Sequence, residues 1–215
     1  MDDQRAPRRD RYGILLILLA VVVLLVPVDN PWLRPLVAAL LGAALLFAQR
    51  TSGARRPVVL ASSVLVVLGI VASAVAQVAQ DRAATMAYSA IVVVLCLATI
   101  ATIGAHLVRD PSLDVHIVLG VIVVYLLLGY AFSGLYAFMG AWDGVFFAQT
   151  PDVHDGVDYF YFSFVTITTT GFGDLTPATD TGKMLAAFEA LIGQVYLVTV
   201  VALAVSGVTK RRRDA

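Results

Sequence analysis

Residues 166–177 read Thr-Ile-Thr-Thr-Thr-Gly-Phe-Gly-Asp-Leu-Thr-Pro, TITTTGFGDLTP. Hydroxyls crowd the first five positions, two glycines follow one residue apart, and long apolar runs lie on either side. A stretch this polar between segments fit for lipid decides how the rest of the chain is read.

The chain has 215 residues, of which 60% are hydrophobic and 14% charged, and its mean hydropathy is +0.87. Soluble domains use roughly 45–50% apolar residues, so the composition is that of an integral membrane protein. The single cysteine, Cys96, lies inside an apolar run, which excludes an intrachain disulfide framework or a multi-thiolate metal site. The basic-then-apolar N-terminus resembles a secretory leader, but no small-x-small cleavage site precedes DNPWLRP, and we read it as a retained first span.

A helix crossing about 30 Å of hydrocarbon needs roughly 20 apolar residues, with about 17 as the lower end. Six runs qualify: 12–28, 32–48, 57–78, 84–108, 115–139 and 183–208. The first two are short and joined by a turn-forming DNP, so a helical hairpin that dips into the bilayer is an alternative for them. With six crossings and a cytoplasmic N-terminus, every Lys and Arg except Arg34, Arg82 and Lys183 falls inside. The outer side then collects Asp29, Asp81, Asp143, Asp152, Asp155, Asp158, Asp174 and Asp180. This satisfies the positive-inside rule, whereas five crossings would put either the QRTSGARR cluster or the terminal KRRR on the wrong side. A hairpin plus four spans gives the same sidedness. Both termini are therefore expected in the cytoplasm of a multi-pass cell-membrane protein.

The one long connection, between Met139 and Lys183, begins polar and acidic and then turns aromatic in YFYFSFVTITT. That second piece is too short to span at 1.5 Å per residue and suits a re-entrant half-helix. Non-helical backbone at membrane depth is tolerated only where protein buries it or it lines a watery cavity. Gly171 and Gly173 take positive φ without steric cost, so the chain can alternate in handedness and turn successive carbonyls to one side. The carbonyls of Thr169, Thr170, Gly171 and Phe172, with the Thr169 hydroxyl below, then form a row. Several copies around an axis make stacked oxygen cages that can replace the hydration shell of a cation.

The sequence TITTTGFGD resembles the selectivity-filter signature of potassium channels, Thr-x-x-Thr-x-Gly-(Tyr/Phe)-Gly-Asp. The resemblance covers roughly the last hundred residues. It implies an all-α membrane protein of six transmembrane helices, with a re-entrant pore helix and filter between the fifth and sixth. The corresponding division is a cytoplasmic tail (1–11), a four-span accessory domain (12–110), a pore domain (111–209) and a basic cytoplasmic tail (210–215). Within the pore domain the outer helix is 115–139, the pore helix 158–168, the filter 169–173 and the inner helix 183–208. Thr169, Thr170, Gly171, Phe172 and Gly173 would form the filter, with potassium held at the first four. Asp174 would stand at the outer mouth. Tyr159, Phe160, Tyr161 and Phe162 would pack around the filter as a cuff, with Thr166 as further pore-helix support. Gly193 aligns with the family's inner-helix hinge, and packing is the alternative role for it. Since one chain carries one filter segment, the resemblance implies a homotetramer.

Three positions depart from the pattern. Thr170 stands where Val or Ile is usual, putting a hydroxyl behind the filter. Phe172 replaces the commoner Tyr and loses a phenol. Val165 stands where some members have a Glu that pairs with the filter aspartate, so that outer-mouth brace is expected to be missing.

Other residues carry narrower expectations. Glu189, the one acid within a predicted span, is a candidate functional group and is expected to brace the pore helix or the backbone behind the filter. Gln194, Val198 and Ala202 share a helix face that below Gln194 is apolar and suits the pore lining. Glycines 120, 129, 134 and 140 are expected at close-packing positions. His154, among Asp152, Asp155 and Asp158, is expected to be simply solvated, and the acid excess there should concentrate cations near the entrance. The fourth run carries no Lys or Arg between Arg82 and Arg109, so the charges that yield about 2.3 kcal/mol each per 100 mV in a voltage sensor are missing.

These features describe a passive, potassium-selective channel that is not gated by a voltage sensor, not an enzyme, and without a cofactor beyond the permeant ion. The lipid bilayer is its partner, nucleic acid is not, and a separate regulatory subunit is left open. The alternatives are a cation-uptake subunit with a channel-like filter and a non-conducting subunit of a mixed channel.

Overall fold

The computed structural model describes residues 11–25, 33–79, 81–109, 115–149 and 156–213. The 1–10 portion of the expected N-terminal tail lies outside these, as do His154, Asp152 and Asp155. Among the described residues seven helices are present: α1 (Arg11–Leu25), α2 (Leu33–Thr51), α3 (Arg56–Ala79), α4 (Arg82–Arg109), α5 (Val115–Asp143), α6 (Gly156–Ile167) and α7 (Asp180–Arg213). Each expected span has a helix over it, shifted at the ends by residues that cap.

The caps explain those shifts. Asp81 Oδ2 accepts from the Ala84 amide at 3.0 Å, which starts α4 before the apolar run does. Thr179 Oγ1 accepts from Gly182 N–H at 3.1 Å, which starts α7 ahead of Lys183. At the end of α2 the amide of Ala54 reaches the Gln49 carbonyl and that of Gly53 the Arg50 carbonyl. Gly53 there has φ +75°, the left-handed residue on which such a stop depends.

Among the described residues, three helical stretches are long and apolar enough to cross a membrane: Arg56–Ala79, Arg82–His106 and Val118–Asp143. Gly13–Leu25 and Pro35–Thr51 are apolar but shorter. The chain is a multi-pass membrane protein.

Helix α1 packs on α2 and α5, α2 on α3 and α4, and α4 runs along α5. Their shared interior holds Leu15, Leu19, Leu45, Leu95, Ile103 and Leu127 together with Cys96. Lipid tails are as apolar as leucine, so helices associate in the bilayer through close fit and interhelical hydrogen bonds. A side chain at Gly42 would run into Val66, and one at Gly134 would come within 3.1 Å of Val93. Gln49 Nε2 donates to Thr99 Oγ1 at 3.2 Å inside this bundle.

A second interior joins α5, α6 and the loop after α5 through Phe132, Tyr136, Phe146, Phe147, Tyr159 and Phe162. Among the described residues, the helices that α7 packs on are α5 and α6. It buries Glu189 and Gly193 and leaves Met184, Phe188, Leu191, Val195 and Val198 between 55% and 71% exposed. Those five recur at i, i+4, i+7, i+11 and i+14, one apolar stripe on the side away from its own chain.

Candidate functional site: the α6–α7 turn

Helix α6 ends in a hydrogen-bond pattern that sets up the backbone beyond it. The Thr169 amide bonds to the Thr166 carbonyl at 2.9 Å and the Thr170 amide to Val165 at 2.9 Å. These are the paired reach-backs of a helix stop built on a left-handed residue, normally glycine. Here the residue is Thr169, with φ +56° and the only positive φ found at a non-glycine among the described residues. A β-branched residue in this region is an outlier, and the left-handed conformation costs roughly 1–2 kcal/mol.

Positive φ recurs at Gly171 (+58°) and Gly173 (+79°), so every second residue from 169 to 173 is left-handed. The alternation expected from two glycines thus begins one step earlier, on a residue whose strain the sequence did not advertise. Thr169, Thr170, Gly171, Phe172 and Gly173 are all exposed in the single chain.

The departure at Thr170 has a local partner. Its hydroxyl lies 2.9 Å from Thr168 Oγ1, which donates to the Phe164 carbonyl at 2.7 Å. The Thr170 hydroxyl is therefore placed to donate to Thr168 in a short relay back to α6.

Val165 leaves the Glu–Asp brace absent, as expected, and Asp174 has another partner. The Tyr161 hydroxyl donates to Asp174 Oδ2 at 2.8 Å, and the Tyr161 and Phe172 rings are parallel within 2° at 6.5 Å. A tyrosine one helical turn before Val165 thus holds Asp174 from α6. The aromatic run divides by face. Tyr161 alone of the four is found against the turn. Tyr159 and Phe162 stack on Phe146 and Phe147, and Phe160 lies against Tyr130 and Phe164. Thr166 is half-buried in the last turn of α6, where its carbonyl serves the helix stop.

Beyond Asp174 the chain is tied to the loop after α5. The Ala148 amide donates to the Thr176 carbonyl at 2.9 Å and Ala178 to Phe146 at 2.8 Å. The Gln149 side chain donates to Thr176 Oγ1 at 2.7 Å and accepts from its amide at 2.9 Å.

Behind the turn, two groups of hydroxyls link the three helices. Glu189, fully buried, has Oε2 accepting from Tyr136 of α5 and Oε1 against Ser163 Oγ of α6, each at 2.5 Å. This places the acid against α6 and α5. Lower down, the Tyr125 hydroxyl donates to the Ile167 carbonyl at 3.0 Å. Tyr196 of α7 donates to the Val121 carbonyl at 2.6 Å, and its ring stacks on Tyr125 at 5.7 Å.

Gly193 is buried where any side chain would collide with the Ile167 carbonyl. Close approach to the end of α6 accounts for glycine there, and α7 runs through it as one helix. Packing likewise accounts for Gly129, where a side chain would come within 2.9 Å of Phe164, and for Gly140, where it would strike the Tyr159 hydroxyl. Gln194, Val198 and Ala202 are exposed.

The comparisons match this half of the molecule. A family model described as "Ion channel" matches residues 117–210, which take in α6, the turn and nearly all of α5 and α7. Over these residues the chain is similar to that family. The relatives are potassium channels. The chain is 40% identical over 57 residues to a hyperpolarization-activated voltage-gated potassium channel of Methanocaldococcus jannaschii, covering 26% of this chain and 27% of the relative. It is 46% identical over 50 residues to probable potassium channel protein 2 of the same organism, covering 22% and 15%. It is 32% identical over 76 residues to potassium channel K1 of Plasmodium berghei, covering 34% and 4%. The matched stretches thus span about a quarter or less of those relatives. No solved structure matches significantly.

Proposed function

We propose that the chain is the subunit of a passive, potassium-selective channel, a homotetramer whose filter is Thr169–Gly173. The alternating positive φ at Thr169, Gly171 and Gly173 carries the reading. Reversal of handedness at each residue brings consecutive carbonyls to one side, and four such rows around an axis replace the hydration shell of potassium. Thr169 adds its hydroxyl at the innermost site, and Asp174, held by Tyr161, stands at the outer mouth.

Met184, Phe188, Leu191 and Val195 of the α7 stripe, exposed in the single chain, support assembly with further copies. The turn is exposed as well, with Phe172 at 69%, and copies of the chain would cover both. In the tetramer Gln194, Val198 and Ala202 face the conduction path, and the apolar portion below Gln194 gates by dewetting. Glu189 braces the pore helix α6 from the inner helix α7. Helices α1 to α4 form an accessory domain without a voltage sensor, and both termini are cytoplasmic by the distribution of Lys and Arg.

Liposomes loaded with potassium test the reading. The purified chain should release the ion, and Gly171→Ala should stop release while the variant still inserts and assembles. Within the single chain no atom lies within 4 Å of a Cβ added at Gly171, whose φ is +58°, so the variant strains the backbone through its φ. Normal release from it would remove Thr169–Gly173 from the filter role.

A further inference from the structure

The hydrogens around Glu189 do not balance if it is a carboxylate. Ser163 Oγ lies 2.5 Å from Glu189 Oε1 and 2.8 Å from the Gly129 carbonyl oxygen, while the Tyr136 hydroxyl is used on Oε2. Each of these three contacts needs its own hydrogen. A carbonyl oxygen only accepts, and a serine hydroxyl has one hydrogen to give. With an ionised Glu189 there are two hydrogens, from Tyr136 and Ser163, for three contacts. With a protonated Glu189 there are three: Tyr136 donates to Oε2, the acid's own O–H on Oε1 donates to Ser163 Oγ, and Ser163 donates onward to Gly129.

We infer that Glu189 is a neutral carboxylic acid whose proton closes a chain of hydrogen bonds from α7 through Ser163 of α6 to the Gly129 carbonyl of α5. Ser163 and Glu189 are both fully buried. Among the described residues the hydrogen-bond partners of the acid are two hydroxyls, and no ion pair involves it. A bare charge so placed would be costly inside a membrane. The proton makes Glu189 a positioning residue, fixing α6 against α5 and α7 at once. The inference concerns one protomer and stands apart from the channel reading.

Glu189 is the sole glutamate of the chain, so heavy-carbon labelling of the glutamate side-chain carboxyl marks this group alone. The full-length protein, made by cell-free synthesis with labelled glutamate and placed in lipid vesicles at neutral pH, should show one labelled carbonyl band of a protonated acid in the infrared. That band should shift on deuteration. Ser163→Ala removes the acceptor of the proton and should move the band to higher frequency, toward an unbonded acid. The paired stretches of a carboxylate in the wild-type protein, or a band indifferent to Ser163→Ala, would overturn the inference. Neither infrared result depends on ion conduction, so failure here is separable from failure of the proposed function.

Discussion

At the scale of single residues, Thr169 and Thr170 divide the work of a short turn. Thr169 holds a conformation that glycine would hold more cheaply, and strain of this kind persists where the surroundings over-determine it and function uses it. Its side-chain oxygen is the feature glycine lacks. Thr169→Gly should relieve about 1 kcal/mol of backbone strain, part of which returns as extra entropy of the unfolded chain. Purified Thr169→Gly should therefore melt no lower than wild type yet release potassium more slowly. Thr170 differs, because its hydroxyl is engaged with Thr168 on the α6 side. Thr170→Val should cost about 1 kcal/mol for that hydrogen bond, seen as a lower melting temperature, and leave the reversal potential in mixed potassium and sodium unchanged. A shift toward sodium permeation would show the hydroxyl facing the ions.

At the scale of elements, α6 is held at its middle by Ser163 and Glu189 and at its end by Tyr125 and Gly193. Adding a methyl at Gly193 drives it into the Ile167 carbonyl, and overpacking of this order costs about 1–3 kcal/mol or more. Gly193→Ala should displace the end of α6, lowering both melting temperature and potassium release. Tyr125→Phe keeps the ring on Tyr196 and removes only the hydroxyl from the Ile167 carbonyl. It should cost about 1 kcal/mol in thermal unfolding while the protein still assembles.

These contacts also mark what was legible in sequence. Helices appeared over all six apolar runs because a run of apolar residues is a local signal, and TTGFGD announced its turn through paired glycines. Tyr136 and Glu189 are 53 residues apart, and Tyr196 and Val121 are 75 apart. A tyrosine in an apolar helix does not declare which carbonyl it will meet. Ser163 is hidden among aromatics, and nothing at Val165 points to the contact that Tyr161 makes with Asp174. Position 161 lies one turn earlier on α6, a relation visible only once the helix fixes its faces.

At the scale of the whole molecule, the single chain is well packed along one side of α7 and bare along the other. In the proposed tetramer neighbouring copies would cover Met184, Phe188, Leu191 and Val195 on that bare side, along with the exposed turn. The solution mass after subtraction of detergent should be four times the 22.9 kDa protomer, and Leu191→Lys, which puts a charge into the stripe, should reduce that mass. A monomer of unchanged activity would require a pore within one chain, for which one turn of this kind is insufficient.

The central claim is that four copies of this chain conduct potassium through Thr169–Gly173. Purified protein in a planar bilayer between unequal potassium concentrations, with sodium making up the difference, tests it most directly. The account predicts unitary currents that reverse near the potassium equilibrium potential and vanish in Gly171→Ala. Currents reversing near zero under the same gradient, or an assembled wild-type tetramer that stays silent, would contradict it.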